Sequence, residues 1–88
     1  MFMETISERA YLAPAELFAV RRRGPTGSLF YQRFVTMADA IKFAVEEMPA
    51  GSSNTSIETD LGRIDGADIA FLYEADQFPL KRRSRYAL

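Results

Sequence analysis

Residues 34–49, FVTMADAIKFAVEEMP, form the one stretch whose start, period and stop are all written in the sequence. The spacing predicts an amphipathic helix. Thr36 stands at the N-cap position, Asp39 three residues on sets a carboxylate beside the exposed N–H groups of the first turn, and Pro49 is the stop. Met37, Ala40, Ile41, Ala44, Val45 and Met48 recur at spacings of three and four, which makes one stripe to bury. Lys42 and Glu46, four apart and off that stripe, have the spacing of a weak surface pair.

A helix with one apolar stripe needs a second layer, and the flanking sequence supplies it. Upstream, ELFAVRRR, the loop GPTG and SLFYQRFV read as a β-hairpin, because aromatic and β-branched residues flank a Gly/Pro turn. Alternate side chains of a strand lie on opposite faces, so the pairing register decides which residues meet the helix. One register puts Arg21 beside Phe30 on the face of Leu17 and Phe34 and leaves that face mixed. The other groups Phe18 and Val20 with Phe30 and Phe34, and gathers Arg21, Arg23, Tyr31 and Arg33 on the opposite face. The second is the expected one, since it gives a single apolar face.

Downstream, AGSSNTS (50–56) reads as a connector of small polar residues. SIETD, a turn at Leu61 and Gly62, and RID then suggest two short strands, with Gly62 at positive φ. Asp65 as N-cap and Asp68 three residues on form an acidic version of a capping box, opening a second helix with Ile69, Leu72 and Tyr73 inward. Phe78, Pro79 and Leu80 end it and pin the chain before the tail KRRSRYAL leaves. Residues 1–13 have no clean period and Pro14 interrupts them, so a frayed or partner-docked arm is expected there. The predicted organisation is an arm (1–14), one α+β domain (15–80) and a basic tail (81–88). The domain is an antiparallel sheet of three to four short strands with two helices on one face, in the order β-β-α-β-β-α.

The layout of that hairpin, then FVTMADAIKFAVEEMP, then IETDLGRIDG resembles small uncharacterised bacterial α+β proteins. In these an aromatic-Thr entry opens an Ala-rich helix before a strand with a Gly turn. The resemblance spans roughly residues 16–80. It implies a small bacterial domain, brings no established activity, and carries no functional residue over.

Composition narrows the function classes. At 88 residues, 48% hydrophobic and 12% aromatic, the chain is one folded domain, and its apolar runs are too short to span a bilayer. With no cysteine and no histidine, thiol nucleophiles, the commonest general base and the usual soft metal ligands are absent. Lacking a basic region followed by an apolar core near Met1, and lacking cysteine, the chain is expected in the cytoplasm. No cofactor is implied.

Charge is distributed unevenly. From residue 39 to 76 there are nine acids and two bases; the remainder holds nine bases and three acids. A phosphate-contacting reading places Arg21, Arg22, Arg23 and Arg33 on one strand pair with Tyr31 for stacking, and Lys81, Arg82, Arg83 and Arg85 as a clamp. The same charges also fit a solvated sheet face and a tail that blunts a sheet edge. An isoelectric point near 5.4 favours this second reading. Glu58, Asp60, Asp65 and Asp68 match no calcium loop and read as turn and cap residues.

Aromatics are abundant for so small a chain. Phe43 and Phe71 lie beside the two helix stripes, where a protein or homodimer interface is expected, or where they widen the core. The sequence thus points to a non-enzymatic binding or accessory protein acting through protein contacts, with a nucleic-acid-binding module as the alternative.

Overall fold

The computed structural model describes residues 8–21, 28–48 and 52–82. Helix α1 (Glu8–Tyr11) leads into β1 (Ala15–Arg21) and β2 (Ser28–Phe34), then α2 (Met37–Glu46), β3 (Ser52–Thr59), β4 (Gly62–Asp65) and α3 (Gly66–Glu74). The strands form one antiparallel sheet in the order β2-β1-β3-β4, and α2 and α3 pack side by side on one face of it. The α+β class holds, with the short α1 added to the two expected helices.

Helix α2 forms where its cap allows. The Asp39 N–H donates to Thr36 Oγ1 at 3.1 Å, and Thr36 Oγ1 donates to Asp39 Oδ2 at 2.8 Å, which satisfies an N-terminal amide that has no partner within the helix. Met37, Ala38, Ala40 and Ile41 are buried, whereas Val45, assigned to the stripe by spacing, is exposed.

The register of the first hairpin runs against the sequence expectation. Ala15, Leu17 and Ala19 are the buried residues of β1, and they pair with Phe34, Gln32 and Phe30 of β2. Phe18 and Val20 stand on the opposite face, paired with Tyr31 and Leu29. On the same face Phe30 and Phe34 pack against Phe43 of α2, so this is the face the helix covers. Leu17 is also opposite Ile57 of β3, which is opposite Ile64 of β4, so three buried aliphatics cross the sheet beneath the helices.

The polar stretch expected as a connector is half of β3. Ser52 and Ser53 pair with Arg21 and Val20, and a bulge follows in which Asn54 takes φ 52°. Backbone pairing needs no apolar side chain, and asparagine is a residue that tolerates the left-handed region a bulge demands. Gly62 has φ 143°, as its turn position requires.

The chain ends are tied into the domain further than expected. Tyr11 is fully buried, its hydroxyl donating to Leu72 O at 3.0 Å, and Phe78 packs edge-on against it at 5.9 Å. Over residues 8–14 the expected arm is therefore part of the domain; residues 1–7 lie outside the described residues. At the other end Lys42 Nζ donates to Lys81 O, and Arg82 donates from Nε to Tyr73 O and from a terminal guanidinium nitrogen to Ala75 O, both at 2.5 Å. Arg82 thus supplies donors to carbonyls at the end of α3 and lies over the Tyr73 and Phe78 rings.

Between the helices, Tyr73 Oη donates to Glu46 Oε2, and Lys42 Nζ lies 3.0 Å from Glu46 Oε1. The side chain of Glu46 is only 5% exposed. The spacing of Lys42 and Glu46 suggested a surface pair; its carboxylate is instead a buried link between α2 and α3. Asp65 stands at the N-cap position of α3, as expected, but its side chain makes no cap hydrogen bond.

Candidate functional site: the open face of the sheet

With both long helices on one side, the other face of the sheet is uncovered among the described residues. The register lays its side chains out in cross-strand rows. The first row reads Arg33, Glu16, Glu58, Arg63 across β2, β1, β3 and β4. The second reads Tyr31, Phe18, Ser56, Asp65. The third begins with Leu29 and Val20. Apolar surface is concentrated on the β1–β2 side and charge at one end.

Phe18 and Tyr31 form the centre. Their rings are 5.1 Å apart and tilted by 46°, a favourable aromatic geometry. Tyr31 is 46% exposed and Leu29 is 68% exposed. Tyr31 Oη donates to Glu16 Oε2 at 2.7 Å, a diagonal contact between neighbouring strands. That bond holds the phenolic proton, so Tyr31 ionises above its ordinary 10.0, with some desolvation and the Glu16 charge acting the same way. Arg33 Nε lies 3.8 Å from the same carboxylate oxygen.

Glu16 and Glu58 occupy directly opposed positions on adjacent strands, a like-charge juxtaposition that sheets ordinarily avoid. Arg33 relieves it from one side. No ion pair to Glu58 is formed among the described residues, although Arg63 stands opposite it on β4. Beside this row a shallow cleft of about 280 Å³ opens at the end of the sheet, with Glu16, Arg33, Glu58 and Asp60 on its wall.

The structure divides the basic residues that charge counting grouped together. Tyr31 and Arg33 share the open face. Lys81 and Arg82 stand on the helical side, with Arg82 engaged by α3 carbonyls. Arg21 is the last residue of β1, opposite Ser28; Arg22, Arg23, Arg83 and Arg85 lie outside the described residues. The open face is mixed in charge where a basic one was expected: Glu16, Glu58 and Asp65 share it with Arg33 and Arg63 among the described residues.

The two phenylalanines marked for an interface separate as well. Phe43 stacks on Phe30 at 5.8 Å and meets Phe34 at a tilt at 5.4 Å, which fastens α2 to β2 and widens the core. Phe71, on the outer side of α3, is 62% exposed. Sequence reasoning missed Phe18, Leu29, Glu16 and Glu58; the signal was the pairing of β1 with β3, which no local pattern encodes.

Among the described residues no group of three or more acidic side chains is placed to hold a metal ion. No helix among them is long and apolar enough to cross a membrane. The arrangement defines a small α+β domain with one sheet face packed by helices and the other uncovered among the described residues. No family model, curated protein or solved structure matches the chain.

Proposed function

We propose that this protein is a non-enzymatic binding module that docks another protein on the open face of its sheet. The observation that carries the reading is the set of Phe18, Tyr31, Val20 and Leu29 on a face that no element of the described residues covers, with Tyr31 and Leu29 exposed. Large apolar side chains rimmed by charges are the usual composition of a protein-contact surface. Aromatic anchors with a polar rim also suit an accessory or regulatory role, in which affinity is modest and specificity comes from the charged margin. The partner can be a second copy of the chain. Sedimentation reads that directly: concentration-independent monomer up to high micromolar protein removes the self-association form of the proposal.

The test is affinity capture from a native lysate with the wild-type chain and with Leu29→Ser and Tyr31→Ser. A partner retained by the wild type and lost with both variants supports the reading. Equal capture by all three overturns it.

The exposed Tyr31 beside Arg33, whose side chain is 76% exposed, supports a second reading, in which the hairpin stacks and neutralises a single-stranded nucleic acid. The acidic neighbours on the same face weigh against it. Electrophoretic shifts of mixed DNA and RNA fragments near 50 mM salt decide between the two, since phosphate contacts are strongest at low salt. Nuclease treatment of the lysate before capture separates them a second way.

A further inference from the structure

The chemistry of the open face specifies more than an apolar partner. Glu16 and Glu58 are held side by side by the β1–β3 pairing, next to the ring pair of Phe18 and Tyr31 in the following row. Like charges directly opposed across a strand pair disfavour each other in the free protein, and solvent screening softens this. Ser56 adds an independent observation. It is 5% exposed and lies in the second row between Phe18 and Asp65, and among the described residues its hydroxyl makes no hydrogen bond. A buried hydroxyl without a partner is uncommon, and a ligand group that bonds it recovers the lost hydrogen bond.

Resting on the reading of this face as a protein-docking surface, we infer that its occupant is a partner segment presenting a lysine or arginine beside apolar side chains. The cationic head sits over Glu16 and Glu58 and removes their repulsion. Its aliphatic stem runs across the rings of Phe18 and Tyr31, where a cation is also attracted to the ring faces. A flanking apolar side chain covers Leu29 and Val20, and a polar group of the partner bonds Ser56. Arg33 and Arg63, at the two ends of the first row, fix where the cation goes, because they repel it from the margins and leave the middle of the row.

The same geometry disfavours self-pairing face to face about an axis along the strands. That operation sets Arg33 over the Arg63 position and Glu16 over the Glu58 position of the second copy, like charge on like charge. Carboxylates in the middle of the row also oppose a phosphate backbone.

The experiment uses the full chain, isotope-labelled, and two short peptides that alternate valine with lysine or valine with glutamate. A poly-uridine oligonucleotide is the third probe. Amide shifts are followed by NMR during titration to millimolar ligand. The expected result is that the lysine peptide moves amides at Glu16, Phe18, Tyr31, Ser56 and Glu58, and that the glutamate peptide does not. Glu58→Gln and Glu16→Gln should each weaken the lysine peptide about threefold to fivefold, and added salt should do the same. Both sites are at least partly exposed, and unchanged melting temperatures confirm that the variants fold. Equal response to both peptides, no response to either, or a stronger response to the oligonucleotide overturns the inference. Failure here with loss of capture in Leu29→Ser and Tyr31→Ser leaves the docking face standing and removes only its preference for a cationic partner. Failure of both removes the docking face itself.

Discussion

The two faces of this sheet both carry large apolar side chains and have different fates. On the inner face Ala15, Leu17, Ala19, Ile57 and Ile64 are buried beneath α2 and α3. On the outer face Phe18, Tyr31 and Leu29 stand among charged side chains, and no element of the described residues covers them. Bulk alone therefore did not decide which face was buried. Phe30 and Phe34 of β2, equally bulky, lie on the inner face and are held by Phe43 of α2. Phe18, Tyr31 and Leu29 stand on the side where they are available to something else.

The contrast can be broken first from the inside. Leu17→Ala removes a fully buried side chain in the central strand and is expected to cost about 2–5 kcal/mol in urea unfolding. Phe18→Ala, one residue along and on the other face, should cost about 1 kcal/mol, mostly through its ring contact with Tyr31. Similar losses at the two positions would erase the distinction between the faces. The helical layer gives the next largest effect. Tyr73→Phe deletes the donor to a nearly buried carboxylate and should destabilise by about 1–3 kcal/mol, with Lys42 still at hand to limit the loss. Thr36→Ala, which removes the cap of α2, should cost about 1 kcal/mol.

A pH series sharpens the same comparison through two tyrosines. Burial pushes the Tyr11 hydroxyl up from its ordinary 10.0, opposed by the charge of Arg82. Its contribution is fully present below the unfolded pKa of 10.0 and is lost as pH rises through the higher folded value. Thermal melts should therefore weaken above about pH 10, and Tyr11→Phe should flatten that alkaline limb even though it lowers stability at neutral pH. Tyr31, on the open face, should titrate late in a spectrophotometric titration because of its bond to Glu16, and Glu16→Gln should bring it back toward 10.0. A Tyr31 titration unmoved by that substitution would mean the bond is not formed in solution.

How much of this was legible in the sequence depends on whether the cause was local. The cap and stripe of α2 and the inward Ile69, Leu72 and Tyr73 of α3 were readable, since a helix announces itself by spacing and end residues. The face of β1 was not, because residues 15, 17 and 19 are apolar and so are 18 and 20, and either pleat gives an apolar side. Seven residues of small polar side chains hid the start of β3, where the ladder is made by backbone groups. The charge of Arg82 suggested a mobile clamp, yet its partners are main-chain carbonyls of α3, which sequence does not mark. Tyr31 and Arg33 were picked out, whereas the opposed Glu16 and Glu58 exist as a pair only once β1 and β3 are aligned.

The claim that one face serves stability and the other serves binding is tested most directly by the double variant Leu29→Ser/Tyr31→Ser. It is measured side by side for melting temperature and for quantitative capture of the lysate partner, with Leu17→Ala as the contrasting control. The expected result is a double variant that melts within a few degrees of the wild type and no longer captures the partner. Full capture by the double variant, or a collapse of its melting temperature comparable to that of Leu17→Ala, would contradict the division of labour between the two faces.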